Sequence, residues 1–222
     1  MANSDPFLDE FGVTDELTAM KDALESALRV RRGLQVYRNA ITEKDKKKFL
    51  EDKNKFVEDW KALIRQEAQQ YVCPSYLLLF LQSILHFMGG SGVLTVIKDK
   101  QHCDAIERIA GTLSNRWGSI LHGDPGHLRF GISQKAFNLY LKYLWRLRKI
   151  TKEPPHCPID EIVLRIGGLA GSWTKSDNRE QYMDWIDWLR MRAQRKNLTL
   201  SVWEYTEWWA EYQKRKKSTA EP

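Results

Sequence analysis

The chain has 222 residues, of which 42% are hydrophobic and 29% are charged, and its formal net charge is +6 at pH 7. This composition excludes an intrinsically disordered protein and is typical of a soluble globular chain that is long enough to bury a core. A positive balance of this size favours a polyanionic partner without requiring one, since many basic proteins bind no nucleic acid.

The N-terminal part of the chain has two segments with helical periodicity. Apolar residues at positions 17, 20, 24, 27 and 28 predict a helix over residues 17–30. Thr42, followed by the acidic Asp45, predicts the N-cap of a long charged helix over about residues 43–70. The expected buried face of that helix consists of Phe49, Phe56, Trp60, Leu63 and Ile64.

The middle of the chain predicts two further helices. Pro74 opens a hydrophobic helix over residues 75–88, and the glycine-rich residues 89–92 end it. The apolar stretch 71–88 is interrupted by a proline and by polar residues, so it is typical of a buried core helix and not of a membrane span. The next helix is expected over about residues 103–121, and only residues 93–97 show a strand-like alternation.

The C-terminal half predicts four more helices after a loop at residues 122–126. The first carries Lys135 in its first turn, and its buried face is marked by Phe137, Tyr140, Leu141 and Leu144. A proline-rich connection leads to a helix that starts near Asp160. Asp177 and Glu180 form a capping pair that predicts the start of a helix running to about Lys196. Ser201 and Glu204 form a second capping pair that predicts the start of the last helix.

These segments together predict an all-α fold in one domain that covers residues 1–222. The N-terminus is polar and acidic, unlike a signal peptide, so we expect an intracellular protein, cytoplasmic or associated with the nucleoid, without a membrane partner. The basic residues 214–217 are expected to form a solvated helix end that complements the helix dipole, with an auxiliary phosphate contact as the alternative.

The cysteines argue against disulfide and metal chemistry. The chain has three cysteines, Cys73, Cys103 and Cys157, which lie far apart, and their odd number argues against a disulfide framework. No Cys-x-x-Cys pair is present, which argues against a zinc ribbon or an iron–sulfur cluster. The dipeptides His102-Cys103 and His156-Cys157 offer ligand atoms, but neighbouring side chains on a regular element point in different directions. We therefore expect no metal ion and no cofactor.

Two segments 25 positions apart carry the most reactive groups of the sequence. Residues 131–138 place a glycine turn directly before the helix that carries Lys135, and residues 157–165 place Asp160 after Pro158 and Ile159. One lysine amine and one carboxylate, each at a helix start, are the groups that covalent attack on a sugar carbon needs. Each segment alone is a weak signal, since an aspartate in such a position is most often a helix N-cap.

The two segments resemble the helix-hairpin-helix DNA glycosylases in order, spacing and helical context. The family pattern Gly-hydrophobic-Gly-x-Lys-x-x-(Asn/Asp) is matched by Gly131, Ile132, Lys135 and Asn138, with Ser133 in place of the second glycine. The downstream pattern Pro-Val-Asp-x-x-x-x-Arg is matched by Pro158, Ile159, Asp160 and Arg165. The likeness covers about residues 104–175, and its wide separation of lysine and aspartate is similar to that of the archaeal 8-oxoguanine glycosylases.

The resemblance implies a fold and a reaction. The fold has two helical lobes with a cleft between them, and residues 176–217 complete it. Lys135 would be the nucleophile that forms a Schiff base at C1′, and Asp160 would be the carboxylate that stabilises positive charge on the sugar. We expect a monomer that acts on double-stranded DNA with a flipped base in base excision repair. An oxidised purine such as 8-oxoguanine is favoured, while a modified pyrimidine or a hypermodified base of phage DNA fits the same chemistry.

Further residues are expected to bind the DNA. Backbone N–H groups of a tight turn at a helix N-terminus suit one phosphate, so Gly131, Ser133 and Gln134 are predicted phosphate contacts. One helix face carries four recurring basic residues, Lys135, Lys142, Arg146 and Lys149. This face is either an ordinary solvated face or a strip that faces DNA, in which Lys142 and Arg146 would contact the DNA backbone. The candidates for lining a pocket for the flipped base are Trp117, Phe130, Trp145 and Trp173.

Two other classes of function fit parts of the sequence. A catalytically silent nucleic-acid-binding module would use the hairpin only for phosphate contact, with Lys135 exposed and Asp160 serving only as an N-cap. A helical interaction protein would instead dock a partner through C-terminal aromatic residues, since the adjacent Trp208 and Trp209 are not expected to face one core together. The aromatic residues of that surface would be Trp185, Trp188, Trp203, Trp208 and Trp209.

Overall fold

Helices form nearly all of the regular structure in the computed structural model, which describes residues 5–29, 43–72, 91–118 and 127–220. The α-helices in these ranges are α1 (Pro6–Glu10), α2 (Glu16–Arg29), α3 (Glu43–Val72), α4 (Ser91–Trp117), α5 (Phe130–Arg146), α6 (Glu161–Gly167), α7 (Arg179–Gln194) and α8 (Leu200–Ala220). A 3-10 turn, Trp173–Lys175, lies between α6 and α7. The predicted all-α class is confirmed, while the division into two lobes with a cleft stays a prediction. Within the same ranges, no helix combines the length and apolar character needed to span a bilayer.

The central helix of the fold is α5, which packs against α2, α3, α4 and the 3-10 turn. Every residue from Phe130 to Leu144 is buried, including Lys135 and Lys142. The predicted apolar face of this helix is confirmed at its four marker residues. The predicted basic face is wrong for these two lysines, because neighbouring elements cover them and buried partners bind their charges. Arg146 is half-buried, and Lys149 is exposed beyond the helix end.

The helices predicted in the N-terminal part are confirmed. On α2, Met20 and Leu24 are buried as their spacing predicts, but Leu17 is 65% exposed. On α3, Phe56, Trp60 and Ile64 are completely buried. The proposed cap Thr42 and the predicted helix over residues 75–88 lie outside the described residues, as does the loop at 122–126.

The fourth described helix begins much earlier than the sequence predicts. Ser91 and Gly92 were expected to end the preceding helix, yet they form the first turn of α4. The strand-like residues 93–97 are helical as well. Glycine and serine have lower helix propensity than alanine but do not forbid a helix. Their presence at residues 91–92 is therefore a weak signal for a helix end, and α4 includes both residues.

Both predicted capping pairs near the C-terminus are wrong. The N-cap of α7 is Asn178, whose side chain accepts from the Gln181 N–H, while Asp177 accepts from the backbone N–H of Phe130. The helix α8 begins at Leu200, so Ser201 and Glu204 already lie inside it. Their side chains have tertiary partners instead: Ser201 donates to the Pro154 carbonyl, and Glu204 accepts from Lys142.

A glycine is required where α5 meets the 3-10 turn. The Gly131 N–H donates to the Ser176 carbonyl at 2.9 Å, and a Cβ at Gly131 would lie 1.8 Å from the Trp173 carbonyl oxygen.

We expect Gly131→Ala to destabilise the protein by about 1–3 kcal/mol or more, because the obstacle is backbone and cannot rotate away. Urea unfolding measures this change. The matched control is Gly111→Ala in α4, where a Cβ meets nothing within 4 Å; helix propensity there favours alanine by about 0.5–1 kcal/mol. Equal stability of the two variants would contradict this packing.

Candidate active site

The structure brings Lys135 and Asp160 together. Lys135 lies in the second turn of α5, and its Nζ is 3.4 Å from Oδ2 of Asp160. Their side chains are only 10% and 12% exposed, so solvent screens the two charges weakly. The two oxygens of the carboxylate make different contacts. Oδ1 accepts a hydrogen bond from the Val163 N–H and so caps the N-terminus of α6, while Oδ2 faces the amine. The capping role predicted for Asp160 therefore coexists with the ion pair.

Aromatic rings enclose this pair. The Trp173 ring centroid is 4.8 Å from Nζ of Lys135. From α8, the Trp208 indole N–H donates to Oδ2 of Asp160 at 3.3 Å. Phe7 of α1 packs edge-on against Trp208 and closes the other side. Aromatic side chains thus cover the amine and the carboxylate and keep solvent away from them.

A second buried ion pair lies beside the first. Nζ of Lys142 is 2.9 Å from Oε1 of Glu204, and the two side chains are 5% and 2% exposed. The ammonium also lies 4.4 Å from the Phe7 ring centroid and 5.1 Å from that of Trp208. Burial raises the pKa of the Glu204 carboxyl, with a smaller contribution from the Asp160 carboxylate, while Lys142 and Lys135 oppose the rise. The four charges therefore form one electrostatic cluster.

A small cavity of about 50 Å³ lies among these groups. It is lined by Phe7, Phe11, Asp22, Ser26, Lys135, Leu139, Lys142, Tyr143, Pro158, Asp160, Glu204 and Trp208. Space of this size holds a few water molecules, at roughly 10–15 Å³ each. A wider surface groove of about 320 Å³ adjoins α6 and is lined in part by Arg165, Ser172 and Trp173. Trp173 thus lines the groove and also contacts the Lys135 amine.

Of the four aromatic residues predicted to line a base pocket, the structure brings only Trp173 to the lysine. The Trp117 indole N–H donates to Asp59 on α3. Phe130 packs on the ring of Tyr182, and Trp145 lies under the Arg146 guanidinium. Two other aromatic residues beside the lysine are Trp208 and Phe7, which the sequence did not indicate as pocket residues. Both Trp208 and Trp209 pack on Phe7, so the expectation that they cannot share one core is wrong.

The predicted phosphate contacts are buried or paired inside the protein, which corrects the hairpin interpretation. Gly131 is the second residue of α5, and its N–H is taken by Ser176. Ser133 and Gln134 are completely buried. Lys142 is paired with Glu204, and Arg146 is paired with Asp5. The Ser133 hydroxyl has no hydrogen-bond partner among the described residues but is shut off from solvent, and the other four residues are engaged with other parts of the chain. None of the five therefore offers an accessible group to a phosphate in this structure.

The two histidines of the His-Cys dipeptides form a buried hydrogen-bond network. His102 accepts from the Tyr71 hydroxyl at Nδ1 and donates from Nε2 to the Asn138 carbonyl oxygen, each at 2.6 Å. His156 bonds to the Tyr182 hydroxyl and, through Nε2, to Asp99. These partners fix one neutral tautomer for each ring. Among the described residues, no group of three or more His, Cys, Asp or Glu is placed to hold a metal ion.

This network predicts a loss of stability in mild acid. Burial lowers the pKa of both His102 and His156 from the ordinary value of 6.5, while the unfolded chain keeps that value. Below pH 6.5 the unfolded state therefore binds more protons than the folded state. The free energy of unfolding decreases as the pH is lowered, by about 1.4 kcal/mol per pH unit for each histidine. We expect His102→Gln to show a shallower decrease between about pH 6.5 and 4.5 in urea unfolding. Parallel curves for the variant and the wild type would contradict the neutral buried ring.

Comparison with known proteins gives no relative for this chain: no family model, no curated protein and no solved structure matches it.

Proposed function

We propose that the protein is a DNA glycosylase with abasic-site lyase activity and that Lys135 and Asp160 carry the reaction. The observation that supports this most strongly is the approach of the Lys135 amine to within 3.4 Å of the Asp160 carboxylate in a nearly solvent-free, aromatic-lined site. A binding module that used the glycine turn alone would leave Lys135 exposed. The burial of Lys135 and the internal use of the predicted phosphate ligands both disfavour that alternative.

The chemistry needs one proton acceptor and one nucleophile. As the bond between C1′ and the base nitrogen breaks, the base leaves with the bonding electron pair and positive charge develops on the sugar, which the Asp160 carboxylate stabilises in a site that solvent barely reaches. The Lys135 nitrogen then forms a bond to C1′. The two protons that this nitrogen gives up pass through Asp160, one to the departing base and one to the ring oxygen O4′ as the bond between C1′ and O4′ opens, which leaves a protonated Schiff base at C1′. Loss of a proton from C2′ then releases the 3′ phosphate. The indole N–H of Trp208 and the backbone N–H of Val163 hold the carboxylate in place throughout.

The substrate is proposed to be double-stranded DNA from which one modified base is flipped out, and an oxidised purine is favoured. The cavity of about 50 Å³ holds only a few water molecules and not a purine. Base entry therefore requires that α1 or the Trp208 ring move aside. The α1 segment is short, with only five residues, and its Phe7 packs on the ring of Tyr143. A protein with this substrate would act where DNA is, in the cytoplasm or at the nucleoid.

Borohydride trapping tests the proposal directly. The protein is incubated with duplexes that bear an abasic site or 8-oxoguanine, and borohydride reduces any Schiff base to a stable covalent adduct. An adduct on both duplexes is the expected result. An adduct on the abasic duplex alone would retain the lyase and direct the search to other bases, including modified bases of phage DNA. No adduct on either duplex, with DNA binding intact, would overturn the lyase assignment.

A further inference from the structure

A pair of hydrogen bonds joins the residues that precede Lys135 and Asp160 in the sequence. The Gln134 side chain donates from Nε2 to the carbonyl of Ile159 at 2.6 Å, and its Oε1 accepts from the Ile159 N–H at 3.0 Å. One side-chain amide thus satisfies both backbone groups of Ile159, as a neighbouring strand would do. Gln134 is fully buried, so water does not compete for these bonds.

A second amide on α5 orients the first. Asn138 lies one helical turn after Gln134, and its Nδ2 is 3.1 Å from both the Gln134 Oε1 and the Cys157 carbonyl. Its Oδ1 accepts from Nε2 of His102, which fixes the orientation of the amide. Gln134 and Asn138, which we call the amide clamp, therefore hold the backbone of residues 157–159 against the helix that carries Lys135.

The clamp is braced from outside by charged groups. Nδ2 of Asn138 also lies 2.9 Å from the Tyr182 hydroxyl, which bonds to His156. His156 bonds to Asp99, and Arg190 forms two hydrogen bonds to the same carboxylate. Burial would raise the pKa of Asp99, but the bonds from His156 and Arg190 outweigh it and hold the pKa at about 2. The brace is therefore charged and intact at neutral pH.

The segment that carries Asp160 needs such an anchor. It follows a proline-rich connection, and Pro154, Pro155 and Pro158 have no N–H to donate. An ion pair alone sets no geometry, because Coulomb attraction has little directionality and a lysine side chain has four rotatable bonds. The directional bonds near Asp160 come from the amide clamp on one side and from the α6 cap and the Trp208 indole N–H on the other.

We propose that Gln134, oriented by Asn138, is a positioning residue that sets the distance between the Lys135 amine and the Asp160 carboxylate. The catalytic consequence of this role rests on the proposed lyase function, whereas the positioning is a property of the fold. A misplacement of about 1 Å in a reacting group lowers rates by roughly a hundredfold. Loss of the clamp is therefore expected to slow Schiff-base formation by about that factor while leaving DNA affinity unchanged.

The test compares three variants. Gln134→Met fills the same space without hydrogen-bonding groups. Gln134→Glu can donate to the Ile159 carbonyl only while its carboxyl is protonated, so it gives partial rescue at low pH. Ser201→Ala is the matched control, because Ser201 donates to the Pro154 carbonyl and so supports the same proline-rich segment away from Ile159.

The primary readout is independent of activity. The coupling free energy between Lys135 and Asp160 is obtained by urea unfolding of Lys135→Met, which leaves no donor for the carboxylate, Asp160→Asn and their combination, in each background. The expected result is a coupling that is present in the wild type and in Ser201→Ala and lost in Gln134→Met. An unchanged coupling in Gln134→Met would overturn the positioning role.

The second readout is the rate of adduct formation on the abasic duplex. A rate that falls about a hundredfold in Gln134→Met supports the clamp. So does a rate in Gln134→Glu that, relative to wild type at the same pH, is higher at low pH than at neutral pH. A rate equal to wild type in Gln134→Met overturns it. If the wild type forms no adduct while its coupling still depends on Gln134, the lyase function fails and the positioning of the pair stands.

Discussion

Lys135→Gln is expected to abolish the borohydride-trapped adduct on the abasic duplex, lowering the rate by roughly 10³-fold or more. The amide of glutamine is not nucleophilic, yet it still donates a hydrogen bond to Asp160, so the buried carboxylate keeps a partner. Circular dichroism and urea unfolding would therefore remain close to wild type. The adduct is measured as a shifted band on a denaturing gel.

The control for Lys135→Gln removes a lysine of the same neighbourhood. Lys175 is exposed and lies at the end of the 3-10 turn that carries Trp173. Lys175→Gln removes the same charge without touching the ion pair and is expected to leave the trapping rate within about threefold of wild type, as for a surface charge. A surviving adduct in Lys135→Gln would mean that another amine is the nucleophile, and peptide mapping of the adduct would name it.

The fold class and the helix starts follow from local signals where these signals are strong. Asp160 after a proline-rich connection predicts the start of α6, and the structure has its side chain as the N-cap. The apolar spacing of α2 and α3 predicts both helices, because burial of one stripe is a local property of the sequence. The approach of Asp160 to Lys135 came instead from the family resemblance, since no periodicity relates two residues so far apart.

The errors share one physical cause: local sequence does not show where a polar side chain finds its partner. Lys142 has the spacing of a solvated stripe, but Glu204 of α8 covers it. Glu204 in turn has the position of a capping residue, although the helix starts four residues earlier. A signal was available in the spacing, since Glu204 and Trp208 share one face of α8 and Lys135 and Lys142 share one face of α5. Only tertiary contact shows that these two faces meet.

The Lys142–Glu204 pair gives the second large effect. Lys142→Met is expected to destabilise the protein by about 3–5 kcal/mol, because it leaves a buried carboxylate without its partner. Glu204→Met should cost less, since the remaining Lys142 ammonium still lies over the rings of Phe7 and Trp208. The double variant replaces the pair by apolar side chains of similar volume and is expected to regain most of the lost stability. Urea unfolding at neutral pH measures all three changes.

The pH dependence of Lys142→Met distinguishes this explanation from simple loss of packing. Burial and the Asp160 carboxylate raise the pKa of Glu204 above its ordinary value of 4.5, and the variant removes the lysine that opposes this rise. Between the unfolded and the folded pKa the native state holds the extra proton, so the stability of the variant falls as the pH increases through that range. Its deficit relative to wild type should therefore be small near about pH 5 and larger near about pH 8. A deficit that stays constant with pH would assign the loss to packing of the lysine stem, and a double variant no more stable than Lys142→Met would support the same conclusion.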